Sequence, residues 1–238
     1  MDRFRGQEKG IAWVLPKASG AIEAVFRELG TREFFDSDEI VLHPQSTASK
    51  LYLIEKGTFS QAVVNYEVSK QYAMNLYFEK TVNGVINLFT GYQMPRLVRA
   101  VQPTMCLSIE RQNLVDYFEE NIEAYKQFAV YKELVAHSEI GGMVALFSLN
   151  LEDRFRLFFV SLLASGGYSF PSKHESNHVP LPFMLKRREV EQVIYASKVS
   201  LDRIFAKWYR NKWLMKKGEM LLVETSNLYP IYLWALAH

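Results

Sequence analysis

The chain has 238 residues, of which 49% are hydrophobic and 14% aromatic, and its formal net charge is +2 at pH 7. This composition excludes a disordered protein, and the length allows two modest domains, each with its own core. No apolar run could span a bilayer, the N-terminus lacks the apolar core of a signal peptide, and a single cysteine, Cys106, excludes an internal disulfide. We therefore expect a cytoplasmic protein with no membrane partner.

The first half of the chain changes from a mixed to a strand-like pattern. Residues 1–17 are mixed in composition and are predicted to form a loosely attached arm. Ser19 can cap a short helix over 20–29, and Gly30 would end it. From 31 to 107, short β-rich runs are separated by turn residues, and many short strands at close spacing favour a small antiparallel roll.

A long helical pattern runs from 113 to 149, with a break at Asn121. Its second segment, 122–149, would be about 40 Å long. In alternating steps of three and four, one seam of this segment consists of Phe128, Tyr131, Val135, Ser138, Gly142 and Ala145. A glycine in a helix interior costs about 1 kcal/mol relative to alanine, so a close contact should compensate. We expect this seam to pair with a second copy of the chain; a contact within one subunit is the alternative.

The next segments lead into the C-terminal part. An amphipathic helix is predicted over 151–163, and a proline-containing loop over 169–182. His174 and His178 are four residues apart, but the prolines oppose a helix and there is no third ligand, so no metal site is predicted. The apolar segment 225–238 must find cover, and we expect it to pack on the neighbouring domain or at a subunit interface.

Between these segments, residues 187–210 contain two short helical patterns, each with one apolar face. Ser197 is the natural N-cap of the second helix, because its hydroxyl can accept a free backbone N–H of the first turn. Only a few residues remain for the turn, which is helix-turn-helix spacing. A strand, a glycine-containing turn and a second strand follow over 213–223, which predicts a β-hairpin with Lys216 and Lys217 at its tip.

This region is also where the positive charge is concentrated. Residues 183–224 contain ten Lys and Arg against five Asp and Glu, a net of +5, which leaves about −3 for the rest of the chain. Such asymmetry is expected of a nucleic-acid binder, whereas a solvated helix pair without a partner is the alternative. The candidate DNA contacts are Arg187, Ser197, Lys198, Val199, Ser200, Arg203, Lys207, Lys216 and Lys217.

Residues 186–223 resemble the winged helix of the Crp/Fnr (catabolite activator protein-like) transcription regulators. The resemblance is carried by Glu189-Val190, Gln192-Val193-Ile194, Ser197-Lys198, Ser200-Leu201, Arg203-Ile204, Trp213-Leu214 and Gly218. Val199 stands where the family commonly has Glu, so it cannot accept a hydrogen bond from cytosine but could contact a thymine methyl group. Tyr195 stands where the family turn prefers Gly, and it would be strained if its φ were positive.

Residues 50–57 (KLYLIEKG) resemble a hairpin of the family's cyclic-nucleotide-binding β-roll. The family grips its ligand with a Glu and an Arg, where this chain has Val85 and, near enough, Met94-Pro95, so cyclic nucleotide binding is not expected. The roll would hold a more apolar small molecule, such as a carboxylate or aromatic acid, or be filled by its own side chains. The candidate pocket residues are Tyr72, Asn83, Val85, Asn87 and Arg99.

The predicted fold is α+β and has three parts. Residues 1–112 form the arm and an antiparallel β-roll effector domain, 113–150 a linker and dimerisation helix, and 151–238 a winged helix-turn-helix with an apolar tail. The resemblance implies a homodimeric regulator that binds double-stranded DNA under control of a small molecule. The alternative is a sensor or protein-interaction module of the same fold that has lost effector or DNA binding. No catalytic residues, cofactor or metal are predicted, because no Ser/His/acid order or phosphate loop is present.

Overall fold

The structure is a computed structural model that describes residues 11–44, 46–65, 70–90, 96–170, 177–182, 186–218 and 220–237. The helices are α1 (Gly20–Leu29), α2 (Arg111–Glu120), α3 (Ile122–Ser148), α4 (Leu151–Ser165), α5 (Arg187–Val193), α6 (Lys198–Arg210) and α7 (Tyr229–Ala237). The strands of the first half are β1 (Thr31–Phe35), β2 (Ile40–Leu42), β3 (Lys50–Lys56), β4 (Phe59–Asn65), β5 (Lys70–Tyr77), β6 (Val82–Asn83), β7 (Arg96–Ala100) and β8 (Thr104–Glu110). Those of the second half are β9 (His178–Pro180), β10 (Leu214–Lys217) and β11 (Met220–Glu224).

Two antiparallel four-stranded sheets form the predicted roll, in the orders β1-β8-β3-β6 and β2-β7-β4-β5. Gly57 and Gly84 occupy turns at φ of +105° and +98°, a backbone region that L side chains rarely adopt. Buried aliphatic and aromatic side chains from both sheets fill the space between them and continue onto α1, α2 and α3. The roll and α3 therefore share one hydrophobic core.

The expectation of a loosely attached arm is wrong for residues 11–17. Trp13 is 1% exposed, and its carbonyl accepts a 2.8 Å hydrogen bond from Leu76 N on β5. Ser138 Oγ of α3 bonds to two carbonyls of the segment, at 2.8 and 2.9 Å. The segment is held in place because its apolar residues are buried between β5, α3 and α4. Residues 1–10 lie outside the described part of the chain.

The structure corrects the assignment of the α3 seam to a dimer contact. All six seam residues are buried against their own subunit; they are Phe128, Tyr131, Val135, Ser138, Gly142 and Ala145. Phe128 stacks on Phe26 of α1 with ring centroids 6.3 Å apart, and Tyr131 Oη donates to Pro16 O at 3.0 Å. A Cβ on Gly142 would lie 2.8 Å from Cδ1 of Trp13. The small seam residues therefore allow the N-terminal segment of the same subunit to pack closely on α3. This is the alternative of a contact within one subunit.

The C-terminal unit, residues 151–237, is built around the aromatic face of α4. Phe155 and Phe159 contact Trp208 of α6 with ring centroids 4.7 and 5.4 Å apart. The C-terminal segment finds part of the expected cover: Leu228 and Ile231 are buried in the same core, whereas Leu233 and Leu236 remain 49% and 52% exposed. Strand β9 lies in the expected loop and pairs with β11, so the hairpin β10–β11 gains a third strand.

Candidate nucleic-acid interface

The turn between α5 and α6 has the cap that the sequence predicts. Ser197 Oγ accepts a 3.2 Å hydrogen bond from Ser200 N, with Ser197 itself in an extended conformation. Tyr195, which occupies the family's glycine position, has a φ of +54° and is 58% exposed. The condition for strain at this residue is therefore met.

Helix α6 has one buried and one exposed face. The predicted apolar residues Leu201, Ile204, Phe205 and Trp208 are all buried. Lys198, Val199 and Arg203 are exposed on the opposite side, with Val199 exposed to 60%. Of the other predicted contacts, Arg187, Ser197, Lys216 and Lys217 are exposed, and Ser200 is half-buried. The packing of the buried face thus leaves the side of α6 that carries Lys198, Val199 and Arg203 open to solvent.

Two of the candidate cations already have partners within the subunit. Arg187 forms an ion pair with Asp202 of α6, and its guanidinium lies 4.9 Å from the centre of the Phe205 ring. Lys207 Nζ lies 2.7 and 2.8 Å from the carboxylate oxygens of Glu152 on α4. Lys207 therefore joins α6 to α4. It does not belong to the group of exposed cations near the start of α6.

The electrostatics of Glu152 agree with this role. Burial would raise the pKa of its carboxyl, but the hydrogen bond from Lys207 and the charge of Arg156 together lower it. The Arg156 guanidinium is 2.9 Å from the same carboxylate. Glu152 is thus ionised when α6 is packed on α4, and its charge is compensated on both sides.

The hairpin β10–β11 lies directly after α6. Lys217 pairs with Met220 and Lys216 with Leu221, so both lysines are at the end of the hairpin next to Gly218, whose φ is +59°. Both lysines are exposed. Two further cations therefore project at one end of the C-terminal unit.

The candidate pocket residues whose side chains are described do not line one site. Asn83 is buried and hydrogen-bonded to Tyr77, Val85 is buried in the core, and Asn87 is half-buried. The backbone of Tyr72 pairs with Val63 on β4, but its side chain lies outside the described residues. Of the four residues whose side chains are described, Val85 alone lines a cavity of about 370 Å³ between residues 85–89 and α3.

The assignment of Arg99 to the pocket is wrong. Its side chain alternates with the inward-facing Val98 and Ala100, so it points out of the roll. There Arg99 Nη2 lies 3.3 Å from Glu189 Oε1 of α5, and both side chains are buried, to 8% and 1% exposure. Asp38 pairs with Arg99 from the other side. Sequence reasoning missed this link between the roll and the C-terminal unit, because no local pattern joins residues so far apart.

The carboxylate of Asp38 is the hub of the exposed side of this link. Lys186 Nζ donates to Asp38 Oδ2 at 3.0 Å. This hydrogen bond, with the charges of Arg99 and Arg188, lowers the pKa of the Asp38 carboxyl. The roll is therefore joined to α5 through Arg99 and Glu189, and to Lys186, the residue before α5, through Asp38.

The described residues offer no metal or membrane feature. Among them, no three His, Cys, Asp or Glu side chains come together as metal ligands. His174 lies outside the described residues, and His178 Nε2 is 2.8 Å from Lys212 O. No helix in the described ranges is both long and apolar enough to cross a membrane.

Solved structures share this arrangement, although no protein-family model and no curated protein sequence matches the chain. FixK2 from Bradyrhizobium japonicum is similar with a TM-score of 0.70 and 14% identity, over 86% of this chain and 96% of its own. The c-di-GMP responsive global regulator CLP of Xanthomonas campestris has a TM-score of 0.65 and 15% identity, over 86% and 98%. TTHA1359, a CRP/FNR-family transcriptional regulator of Thermus thermophilus, has a TM-score of 0.62 and 12% sequence identity. The match covers 85% of this chain and 98% of TTHA1359. The fold is therefore that of the Crp/Fnr regulators.

Proposed function

We propose that the protein is a homodimeric transcription regulator that binds specific sequences of double-stranded DNA. In this proposal α5, α6 and the hairpin β10–β11 form a winged helix-turn-helix. The observation that carries it is the exposed side of the N-terminal half of α6, which presents Lys198 and Arg203, begins at the Ser197 cap and lies opposite the buried face of the helix. A helix of this kind enters the major groove with its N-terminal residues toward the base edges.

The exposed residues divide into two roles. Lys198, Val199 and Arg203 lie where base edges would be read; a guanidinium suits guanine, and Val199 suits a thymine methyl group. Lys216 and Lys217 lie on the wing, where phosphates are the partners. Lys207, paired with Glu152, is assigned a supporting role.

The dimer is assigned to the outer face of α3, on the opposite side of the helix from the buried seam. This face exposes large apolar side chains in steps of three and four, including Ile140 (52%), Met143 (44%) and Phe147 (90%). Exposure of this kind marks an interaction surface. A second copy is the occupant proposed, because a two-fold pair of α6 helices would read two half-sites one helical turn apart.

Control by a small molecule other than a cyclic nucleotide is part of the proposal. The cavity of about 370 Å³ lies between the roll and α3, and Val85, Leu88 and Phe128 give it an apolar lining. A ligand there would touch the helix proposed to pair the subunits. It could thus change the spacing of the two α6 helices.

A salt titration of binding to random duplex DNA tests the proposal. The protein should bind at low salt, and log K should fall steeply with log salt, because several phosphate contacts release counterions. The double variant Lys216→Ala/Lys217→Ala should lower the slope by about 2, whereas Arg32→Ala, at an exposed pair on β1, should leave it unchanged.

The second candidate, an interaction module that has lost DNA binding, is favoured by the exposure of two apolar side chains at the reading face. Tyr195 is 58% and Val199 60% exposed. Such a module would bind DNA little at any salt concentration. That outcome would overturn the regulator proposal.

A further inference from the structure

A groove of about 900 Å³ lies where residues 11–19 and α3 meet the end of α4 and α7. We call it the α3–α7 groove. None of the described residues of strands β1–β8 contributes to its walls, and it shares no lining residue with the cavity of about 370 Å³. It is therefore a separate feature that lies outside the roll. Its volume is near the upper end of the range of small-molecule sites, roughly 300–1,000 Å³.

The walls of the α3–α7 groove are chiefly apolar. Helix α3 contributes Val130 and Leu134, α4 contributes Ala164, and α7 contributes Ala235 and Leu236. The side chains of Val130 and Leu236 are 51% and 52% exposed, so apolar surface on both sides of the groove meets water. Removing this surface from water favours a ligand with an apolar body.

Packed aromatic rings form part of the wall after the end of α4. Phe170 stacks on Tyr232 of α7 with ring centroids 4.4 Å apart, and Tyr168 lies edge-on to Phe170 at 5.1 Å. All three side chains line the groove. Because the rings hold one another in place, this wall is already formed without a ligand.

Several polar side chains of the groove already have partners within the chain. Ser161 Oγ and Ser165 Oγ donate to backbone carbonyls of the preceding turn of α4, at 3.0 and 2.8 Å. Tyr131 Oη donates to a carbonyl of the N-terminal segment at 3.0 Å, and Ser19 Oγ donates to Gln127 Oε1 at 3.3 Å. The protons of these hydroxyl groups are therefore used within the chain. The walls thus offer little to a polar group in the body of a ligand.

Lys17 is the one charged side chain among the described residues that line the groove. It is exposed, and no carboxylate in the described ranges forms an ion pair with its ammonium group. The groove therefore combines apolar walls with a single positive charge in contact with water. This combination is complementary to a molecule that has one anionic group and a long apolar part.

We propose that the α3–α7 groove binds a monocarboxylic acid with a long apolar chain, which is a fatty acid. The carboxylate lies beside Lys17, where water also solvates it, and the chain lies along the apolar walls of α3, α4 and α7. Because Lys17 is exposed, its ion pair adds little to the affinity. Burial of the chain supplies most of the affinity.

A fatty acid in the groove would contact two parts of the molecule at once. Residues 11–19 and α3 form one side of the groove, and α4 and α7 of the C-terminal unit form the other. Val130 and Leu134 lie about 80° and 120° around α3 from Ile140, so the groove stays open in the proposed dimer. An effect of the bound acid on DNA binding rests on the proposed function, whereas the binding of the acid does not.

Calorimetric titration of the full chain with three probes tests the ligand class. Dodecanoate, kept below its micellar concentration, should bind saturably with one molecule per chain. Hexanoate, whose chain is half as long, should bind at least about 100-fold more weakly. Dodecyltrimethylammonium, which carries a cation on the same chain, should bind about 3-fold or more weakly than dodecanoate. Hexanoate as tight as dodecanoate, a preference for the cation, or no saturable binding of dodecanoate up to about 1 mM overturns the proposal.

Three variants locate the site. Ala164→Trp, which fills the groove from α4, and Leu236→Glu, which places a carboxylate at its edge, should each weaken dodecanoate binding at least about 10-fold. Leu236 is exposed, so its variant keeps the test valid if Ala164→Trp does not fold. Lys17→Gln should cost about 2- to 5-fold for dodecanoate and nothing for the cationic probe.

The matched control is Lys56→Gln, at an exposed lysine of β3 that does not line the groove, and it should bind dodecanoate like the wild type. Unchanged binding in Leu236→Glu, or an equal loss in Lys17→Gln and Lys56→Gln, contradicts the assignment.

Sedimentation velocity and DNA binding on the same preparations separate the proposals. If the groove holds a second copy of the chain instead, Ala164→Trp or Leu236→Glu changes the oligomeric state without any ligand, and the fatty-acid assignment is overturned. Dodecanoate binding without DNA binding refutes the regulator and leaves the groove site standing. DNA binding without dodecanoate binding does the reverse.

Discussion

Tyr195 is the residue at which the helix pair departs most clearly from its preferred backbone. A non-glycine residue in the left-handed region costs about 1–2 kcal/mol. Replacing it with glycine removes this strain, but part of the gain is lost because glycine gives the unfolded chain more conformational entropy. We predict that Tyr195→Gly raises the free energy of unfolding by about 0.5–1 kcal/mol in urea denaturation. Tyr195→Ala, which keeps the Cβ, should not gain. A glycine variant less stable than the alanine variant contradicts this explanation.

Arg99 and Glu189 form a buried ion pair whose contribution to the free energy of unfolding depends on both residues being present. Arg99→Met leaves the carboxylate of Glu189, only 1% exposed, without its cation. We predict a loss of about 3 kcal/mol in the free energy of unfolding, most of which the double variant Arg99→Met/Glu189→Leu recovers. Arg32→Met, whose pair with Glu55 is exposed, should cost under about 1 kcal/mol. A double variant no more stable than Arg99→Met would refute the prediction.

Glu139 gives the stability a pH dependence with a defined sign. Burial raises the pKa of its carboxyl above the ordinary value of 4.5, so the folded chain holds this proton more tightly than the unfolded chain. Raising the pH from about 4 to 7 therefore removes stability through this group. We predict that Glu139→Gln becomes more stable relative to the wild type as the pH rises, measured by urea unfolding across that window. A constant difference, or one of opposite sign, would show that the buried carboxylate is fully compensated.

At the scale of the element, α6 carries cations with two different roles. Arg203 is exposed, whereas Lys207 is held by Glu152 at 2.7 Å. We predict that Arg203→Ala weakens binding to a selected DNA site by about 1–3 kcal/mol and relaxes the preference at one base pair. Lys207→Ala should chiefly lower stability. Fluorescence anisotropy on matched and single-mismatch duplexes measures both, and equal losses on all duplexes would make Arg203 a phosphate contact.

Helix α3 presents apolar residues on two faces, and only one is covered in the subunit. We predict that Ile140→Glu, on the uncovered face, shifts the protein to monomers in sedimentation velocity. The new carboxylate would be desolvated in the paired helices. Ile40→Glu on β2 is the matched control, since Ile40 is 40% exposed and Ile140 52%. A monomeric wild type, or an Ile140→Glu variant that stays dimeric, contradicts the assignment.

The same helix shows how far sequence can predict structure. The length of α3, its break at Asn121 and the apolar face of α6 follow from local periodicity, and the structure confirms them. Periodicity could not decide which stripe of α3 meets its own subunit, because Gly142 fits a close partner of either kind. The partner, Trp13, comes from a segment far away in the chain. The Arg99–Glu189 pair escaped prediction for the same reason.

At the scale of the whole molecule, the N-terminal segment ties the parts together. Trp13 packs on Gly142 of α3 and lies 6.5 Å from the Phe158 ring of α4, while its backbone bonds to β5. With Arg99–Glu189, this gives the roll, α3 and the C-terminal unit two separate connections. A change at the roll–α3 contact can therefore reach the α5–α6 pair through packed residues.

The proposed dimer places two α6 helices in DNA one helical turn apart. Cys106, the only cysteine, is buried, and burial raises the pKa of its thiol to about 12, so a Val199→Cys variant can carry a DNA-cleaving reagent at one chosen position. Fragments released from bound random duplex DNA are then sequenced. We predict paired cuts separated by about 10 base pairs. Single unpaired cuts, or no cuts in DNA that is demonstrably bound, would contradict this arrangement.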